Sequence, residues 1–320
     1  MRIALIGFGS VGRAFARLLH AKHAAYPFRI AGIHTARHGT SYNPKGLSET
    51  PDFGPAAGSV EEFLDNACAD VAIEITALNP DSGEPAISHI RAAFARGMHV
   101  ITANKGPIAH AYAALRDEAK RAQVEFRFES TVMDGTPLFN TVRNNLPGIR
   151  ILGFTGVLNS TSKLVVAAMQ RGMSMADGIA EAQRLGVAEA DATHDLDGWD
   201  SAAKAAALAN VLMDARVTPQ SVERRGILDL TVTEAMRLHH NGQTVVLVCR
   251  ATAENGSIRL RVLPEVLSES DLLATAPGTS NLLLLHTDLM GAIGALSISP
   301  GVDQTAYGLF SDLVDIARCL

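Results

Sequence analysis

The sequence lacks most features of secreted, membrane-spanning or metal-stapled proteins. Its 320 residues include only three cysteines, Cys68, Cys249 and Cys319, which are far apart and odd in number. This pattern argues against a disulfide framework or a zinc site and favours reduced thiols in a cytoplasmic protein. No apolar run approaches the ~20 residues that a membrane-spanning helix needs. Because Met1 and Arg2 lead directly into a strand-like run, we expect no signal peptide.

Positive charge is also scarce. The 28 lysine and arginine residues are outnumbered by 33 acidic residues, and the formal net charge is -5. Since the basic residues are dispersed, we expect neither nucleic acid nor an anionic membrane as a partner. Hydrophobic residues make up 47% of the chain and charged residues 19%, which is typical of a globular protein with a large core. The length is sufficient for two domains.

A glycine-rich turn follows the first apolar run, residues 3–6, and precedes a predicted helix at 13–20. This Gly-x-Gly-x-x-Gly pattern between a strand and a helix is typical of a dinucleotide site, and an ordinary glycine turn is the alternative. Gly7 permits the tight turn, Gly9 admits the pyrophosphate, and Gly12 allows close helix–strand packing, while the helix N terminus attracts phosphate. The predicted cofactor-binding residues of the turn are Gly7, Phe8, Gly9, Ser10, Val11 and Gly12.

The first half continues to alternate between strand and helix. Strands are predicted at 28–34, 70–75, 97–101 and 124–128, and helices at 84–96 and 107–121. Such a right-handed βαβ series predicts an α/β fold with a Rossmann-type, doubly wound parallel sheet. Ligands bind beyond the carboxyl ends of such strands, where Thr76 and Lys105 lie, so we assign both to the cofactor crevice. A solvated lysine is the alternative for Lys105.

The second predicted strand ends without an acidic residue. An NAD site usually has an aspartate or glutamate there to bind the ribose 2′-hydroxyl. This chain instead has Arg37 in place to meet a 2′-phosphate, with His38 or Lys45 in support. The pattern favours NADP, with NAD possible, and a solvated Arg37 is the alternative.

An acidic loop at 186–200 leads into an alanine-rich helix with a single lysine, Lys204. Asp200 and Lys204 are four residues apart and therefore share a helix face. A lysine ammonium in an apolar neighbourhood tends to have a lowered pKa, which suits proton transfer. A solvated acidic loop with a surface ion pair is the alternative. The acidic residues of the loop are Glu189, Asp191, Asp195, Asp197 and Asp200.

The second half predicts an α+β domain. Expected helices lie at 163–170, 174–185, 200–214 and 232–241, with strands at 151–158, 227–230, 244–252, 258–262 and 280–287. The polar run 159–162 can cap the first of these helices. The segment 129–137 is a turn-rich junction whose carbonyls can converge on a cation or a ribose, and a plain hinge is the alternative. We expect a dinucleotide-binding domain at 1–130, covered by a returning C-terminal helix at 303–320, and a substrate-binding and dimerisation domain at 131–302.

The chain resembles the homoserine dehydrogenases, in the short form that lacks a C-terminal regulatory ACT domain. The resemblance covers essentially the whole chain, and the acidic loop ending in Asp-x-x-x-Lys is its most specific part. The matching stretches are residues 7–12, 102–105, 129–137, 153–162 and 186–204.

The resemblance implies roles for individual residues. The two catalytic lysines of the family fall on Lys105 and Lys204, and its substrate-binding acids fall on Glu189, Asp195 and Asp200. A monovalent cation, usually sodium, would be held largely by backbone oxygens at Glu129, Val132, Asp134 and Thr136. The chain departs from the family pattern with Ala192 in place of proline, a varied 159–162 run, and Asp134 in place of glycine or alanine.

The implied reaction is the reversible NAD(P)-dependent interconversion of L-aspartate 4-semialdehyde and L-homoserine, a step in threonine, methionine and isoleucine biosynthesis. The resemblance also implies a homodimer, and the antiparallel strands after Thr244 are a natural dimer sheet. Two alternatives are a related amino-acid dehydrogenase, such as an aspartate dehydrogenase, and a non-catalytic nucleotide-binding sensor of the same fold. The first predicts ammonia-dependent turnover, and the second predicts cofactor binding without turnover.

Overall fold

The computed structural model describes residues 1–188, 191–254 and 256–319, which form two compact units. Unit 1 comprises Met1–Asn145 together with the segment that begins at Gly301, and unit 2 comprises Leu146–Pro300. The sequence places the first boundary at residue 130, whereas the contacts keep 131–145 in unit 1. In the described part of the chain, no helix has the length and apolar character to cross a bilayer. The three cysteines are free thiols.

Unit 1 is built on a sheet with strand order β3-β2-β1-β4-β5-β6. Its strands are β1 (Arg2–Ile6), β2 (Arg29–Thr35), β3 (Gly39–Tyr42), β4 (Val71–Glu74), β5 (His99–Thr102) and β6 (Phe126–Arg127). Its helices before residue 146 are α1 (Ser10–Lys22), α2 (Val60–Ala67), α3 (Ala86–Phe94), α4 (Lys105–Ala122) and α5 (Phe139–Asn145), and Glu129–Thr131 forms a 3₁₀ turn.

The strands of unit 1 are parallel except for β3, which pairs antiparallel with β2 at the sheet edge. Residues 3–6 of the central strand β1 are at most 1% exposed, because helices cover both faces of the sheet. This arrangement confirms the predicted Rossmann-type parallel sheet, and it brings the carboxyl ends of β1, β2, β4 and β5 to one edge. Strand β3 and helix α2 were not predicted.

Unit 2 has a mostly antiparallel sheet in the order β12-β11-β7-β9-β10-β8. Its strands are β7 (Ile151–Val157), β8 (Glu223–Arg224), β9 (Gln243–Glu254), β10 (Ser257–Ser268), β11 (Asn281–Thr287) and β12 (Ala292–Ser297). Its helices are α6 (Ser160–Gln170), α7 (Met175–Arg184), α8 (Thr193–Leu196), α9 (Trp199–Met213) and α10 (Val232–His240), and Pro219–Ser221 forms a 3₁₀ turn.

The predicted strand at 227–230 is wrong. The N–H of Ile227 donates to the carbonyl of Leu196 at 2.8 Å, and the N–H of Leu230 donates back to the carbonyl of Ile227 at 3.0 Å. These bonds close a turn, and the Ile227 side chain is buried with Val165 and Leu238. The short strand lies earlier, at β8, which pairs parallel with β10.

The chain returns to unit 1 through α11 (Val302–Cys319). Its apolar face places Leu309, Leu313 and Ile316 in the same core cluster as Phe15 and Leu19 of α1. The last helix therefore completes the core on one side of the unit 1 sheet.

Candidate active site

The glycine turn after β1 is tight at Gly7 and closely packed at Gly12, as predicted. Gly7 has φ +104°, and a Cβ there would lie 2.6 Å from the carbonyl oxygen of Ile75. A Cβ at Gly12 would meet the side chain of Ile75 at 3.1 Å, so this position keeps α1 close to the sheet. At Gly9, by contrast, a Cβ would have no described atom within 4 Å. A side chain would therefore meet neighbouring atoms at Gly7 and Gly12, whereas there is free space at Gly9.

Helix α1 begins at this open position. Gly9 is the N-cap, and no side chain of the described residues caps the helix there. Asn104, at the start of α4, illustrates the usual case, in which a side-chain oxygen accepts a bond from a first-turn N–H. The first-turn N–H groups of α1, at Ser10, Val11 and Gly12, therefore face an anion-attracting position with the partial positive charge of the helix.

Side chains on and near the glycine turn pack against one another. Phe8 is buried, and its ring centroid lies 6.1 Å from that of Phe53 and 5.3 Å from the guanidinium carbon of Arg13. The His38 ring lies 5.9 Å from the same Phe53 ring. His38 and Phe8 are therefore linked through one aromatic side chain of unit 1.

Arg37 and His38 lie in the tight turn between β2 and β3, and both are exposed. The N–H of His38 donates to Oγ1 of Thr35 at 2.8 Å, which fixes the turn at the carboxyl end of β2. Arg37 therefore lies just beyond the carboxyl end of β2, where this fold usually binds the ribose of a dinucleotide.

Two further loops meet at the carboxyl edge. The side chain of Asn104, directly after β5, donates from Nδ2 to the carbonyl of Thr76 at 3.3 Å. Its Oδ1 accepts the N–H of Gly106 at 3.0 Å and caps α4, whose first residue is Lys105. The structure therefore brings Thr76 and the start of the Lys105 helix together with the glycine turn, through Ile75.

In unit 2, the predicted catalytic lysine lies in a polar cluster on α9. Nζ of Lys204 donates to the carbonyl of Leu158 at 2.6 Å and lies 3.0 Å from Oδ2 of Asp200. The two side chains are only 16% and 17% exposed, so the pair is far from a solvated surface ion pair. The alanines on either side of Lys204 in α9, at 202, 203 and 205–207, are buried.

Asn159 joins the two aspartates of the acidic loop. Its Nδ2 donates to Oδ1 of Asp195 at 2.7 Å and to Oδ2 of Asp200 at 3.2 Å, while Oγ1 of Thr161 donates to Oδ2 of Asp195 at 3.0 Å. Burial raises the pKa of Asp195, the neighbouring Asp200 carboxylate raises it further, and the bonds from Asn159 and Thr161 act in the opposite direction. The structure thus brings Asp195, Asp200 and Lys204 together. Glu189 lies outside the described residues.

Sequence reasoning missed Asn159 and Thr161 as site residues and gave them only a capping role. The cap is present, since Oδ1 of Asn159 accepts the N–H of Ser162 at 2.8 Å. The same amide also uses its Nδ2 on both aspartates, and only the fold brings α6, α8 and α9 close enough for that. The density of polar residues directly after β7 was the one available signal.

Lys163, on α6, is a second partly buried lysine of unit 2. Its ammonium donates to the carbonyls of Ala276, at 3.3 Å, and Ser280. Burial lowers the pKa of Lys163 to about 8. The hydroxyl of Ser160 donates to the carbonyl of Thr279 at 2.7 Å, so α6 holds the 276–280 loop through two side chains.

The predicted cation residues lie in unit 1, around the 3₁₀ turn. The Glu129 carboxylate accepts the N–H groups of Leu138, Phe139 and Asn140 at 2.6 to 2.8 Å, and thereby caps α5. Burial raises the pKa of Glu129 and raises that of Asp312, which accepts the Glu129 N–H, to about 7.

Asp134 and Gly135 have φ values of +53° and +88°, so this turn changes direction sharply. Among the described residues, no group of three or more histidine, cysteine or acidic side chains is arranged to hold a metal ion.

Two family models match the chain. The model of the homoserine dehydrogenase NAD-binding domain matches residues 7–129, and the homoserine dehydrogenase model matches residues 137–314. The NAD(+)-dependent homoserine dehydrogenase of Pseudomonas canavaninivorans is 35% identical, over 98% of this chain and 96% of that protein. The homoserine dehydrogenase of Sulfurisphaera tokodaii is 34% identical over the full length of both chains.

Solved structures agree with the sequence matches. A hyperthermophilic archaeal homoserine dehydrogenase mutant in complex with NADPH has a TM-score of 0.83 and 29% identity, covering 100% of this chain and 98% of the other. The homoserine dehydrogenase of Thiobacillus denitrificans also has a TM-score of 0.83, with 28% identity over 99% of this chain and 73% of the other. Since the two family models match residues 7–129 and 137–314 and the curated relatives match over the full length, the chain belongs to the homoserine dehydrogenase family of NAD(P)-binding oxidoreductases.

Proposed function

We propose that the chain interconverts L-homoserine and L-aspartate 4-semialdehyde with Lys204 as the proton carrier. The observation that carries this assignment is the partly buried Lys204 ammonium, held between the Leu158 carbonyl and the Asp200 carboxylate. An alcohol that loses a hydride must also lose its hydroxyl proton, and the reverse reaction must regain it. An amine that is largely shielded from solvent is suited to both directions.

A nicotinamide held there would supply or accept the hydride, and this chain would supply position and proton transfer. The unit 1 residues fit such a cofactor, because Gly9 leaves open space at an uncapped helix N terminus. Lys105 orients the substrate and polarises its reacting oxygen. Asp195, with Asp200 and Glu189, binds the substrate ammonium.

We also propose the cytoplasm as the location, consistent with three free thiols.

Turnover assays test this proposal against its rivals. We expect homoserine-dependent reduction of NADP+ or NAD+ by the wild-type chain. An aspartate dehydrogenase would instead need ammonia with oxaloacetate in the reductive direction. A sensor would bind the nucleotide, as measured by quenching of its fluorescence or by calorimetry, without turnover of any of these substrates.

We further propose a preference for NADP, supported by the exposed Arg37 in the β2–β3 turn. Replacing Arg37 with alanine should reduce the ratio of kcat/KM for NADP+ to that for NAD+ by about tenfold or more, since a charge-assisted phosphate contact contributes roughly 1.5–3 kcal/mol. Steady-state kinetics with both nucleotides measure this ratio. Arg29, an exposed arginine at the opposite end of β2, provides the control as Arg29→Ala. An unchanged ratio in Arg37→Ala would reject the assignment, and NAD, the cofactor in the name of the Pseudomonas relative, would then be favoured.

A monovalent cation is proposed at the 129–136 turn. The Glu129 carboxylate is engaged by the α5 N–H groups, so the ligands would be backbone oxygens of Glu129, Val132, Asp134 and Thr136. The left-handed residues Asp134 and Gly135 support this, because they turn successive carbonyls in different directions. Rates measured in sodium chloride and in choline chloride at equal ionic strength test the proposal, and equal rates would reject it.

We propose a homodimer formed through the edge of the unit 2 sheet. Strand β12 is an edge strand, and exposed apolar side chains surround it, with Leu289 at 72% and Ile298 at 62% exposure. Such an edge favours association with another chain. Sedimentation should show a dimer for the wild type and a monomer for Leu289→Glu. The control Leu185→Glu changes a leucine of unit 2 that is 62% exposed on α7's C-cap, and it should remain dimeric.

A further inference from the structure

A buried carboxylate lies at the carboxyl edge of the unit 1 sheet. Glu74 is the last residue of β4, and it is 1% exposed. Its Oε1 lies 3.6 Å from Nδ1 of His89 on α3, an atom that has no hydrogen-bond partner among the described residues. Taking a carboxylate out of water is costly unless several donors satisfy it. The groups that bond Glu74 therefore indicate what this residue does.

Both carboxylate oxygens accept bonds from the two loops of the cofactor edge. Oε1 accepts the N–H of Thr76, at 3.1 Å, and also its hydroxyl. Oε2 accepts the hydroxyl of Thr102, the last residue of β5, at 3.2 Å. One side chain thus connects the ends of two neighbouring strands.

Thr102 extends the connection to the Lys105 helix. Its single hydroxyl proton is shared with the Glu74 carbonyl, which lies nearer at 2.9 Å, and its Oγ1 accepts the N–H of Asn104 at 2.9 Å. Asn104 caps α4 and donates to the Thr76 carbonyl. Glu74, Thr102 and Asn104 therefore form a closed set of hydrogen bonds that fixes Thr76 relative to the first turn of α4.

We propose that Glu74 is a positioning residue that holds the Thr76 loop and the Lys105 helix start in the arrangement that binds the dinucleotide. This inference rests on the proposed cofactor roles of Thr76 and Lys105. Glu74 acts through its acceptor oxygens on these two loops. A glutamine retains one acceptor for Thr76 and an amide group towards Thr102, whereas a methionine of similar length removes both acceptors.

The test measures NADPH affinity directly by nucleotide fluorescence, on full-length protein that thermal melting shows to be folded. Glu74→Met should raise the NADPH dissociation constant about tenfold or more, because hydrogen bonds to a charged group are lost, and Glu74→Gln should remain within about threefold of the wild type. Affinity measured on folded protein separates positioning from a lower folded fraction, which would reduce kcat and leave the dissociation constant unchanged.

Thr102→Val gives a second route if Glu74→Met fails to fold. It removes the hydroxyl that links Glu74 to Asn104, and it should also weaken NADPH binding about tenfold. Thr287→Val is the matched control, since that buried hydroxyl likewise donates to a carbonyl, of Gly291 at 2.9 Å, and accepts an N–H, of Met290 at 2.9 Å. The control should bind NADPH as the wild type does.

Three results would overturn the inference. These are wild-type affinity in the folded Glu74→Met or Thr102→Val protein, equal weakening in Glu74→Gln and Glu74→Met, and equal weakening in Thr287→Val and Thr102→Val. A wild-type chain that binds neither NADP(H) nor NAD(H) would instead reject the proposed function on which the inference depends.

Discussion

Replacing Lys204 with methionine should lower kcat for homoserine oxidation by about a hundredfold or more, because a positioned proton carrier typically contributes that much. The side chain keeps its length and apolar stem, so packing on α9 changes little. The lost groups are the ammonium and its bonds to the Leu158 carbonyl and Asp200. Both reaction directions should slow, since the same nitrogen takes the proton in one and returns it in the other. Steady-state kcat and KM for homoserine and for the semialdehyde measure the effect.

Lys163→Met is the control for the loss of a partly buried lysine. It removes an ammonium that bonds two backbone carbonyls in the same unit, without the aspartate partners. We expect kcat to stay within about threefold of the wild type while the protein becomes less stable by roughly 1–3 kcal/mol. If Lys204→Met retained wild-type kcat, or if both variants lost activity equally, the proton-transfer role of Lys204 would be rejected.

Alanine substitutions at two glycines of the same turn should affect different properties, cofactor binding at Gly9 and folding stability at Gly7. Gly9→Ala should weaken NADP(H) binding by about 10- to 100-fold, because the methyl group occupies the space through which phosphate approaches the helix N terminus. Its stability should change by no more than about 0.5 kcal/mol, since a Cβ there meets no described atom within 4 Å. Fluorescence titration and urea unfolding measure the two quantities on the same sample.

Gly7→Ala should instead destabilise unit 1 by about 3 kcal/mol. An alanine at φ +104° is strained, and its Cβ would approach the Ile75 carbonyl to 2.6 Å. If Gly9→Ala bound the cofactor normally, the pyrophosphate could not lie at this turn. If Gly7→Ala were as stable as the wild type, the tight turn would not be required for the fold.

The local part of the fold could be predicted from sequence. The glycine turn, the buried strands and the order of strands and helices follow from spacing and apolar pattern. The start of α2 also has a sequence signal, since a serine followed three residues later by a glutamate is typical of a helix N terminus. In the structure, Ser59 is the N-cap and accepts the N–H of Glu62. The short apolar run at 227–230 was misleading, since both strands and buried turns contain such runs.

The contacts of the site could be predicted where they depend only on local sequence spacing. The i,i+4 spacing of Asp200 and Lys204 predicts their ion pair, and the structure confirms that contact. The contacts of Asn159 with two aspartates depend on how three helices pack, and no local pattern encodes that. Glu129 shows the same limit, because its carboxylate bonds the start of α5, which was not predicted.

The path of the chain has a consequence for synthesis. Unit 2 is contiguous, whereas unit 1 needs the segment from Gly301, which leaves the ribosome after all of unit 2. Leu309, Leu313 and Ile316 fill the core beside α1. The nascent nucleotide-binding unit must therefore wait, with an unfilled apolar face, while unit 2 is made and can fold. A stop codon before α11 should leave unit 2 intact and unit 1 exposed to proteolysis.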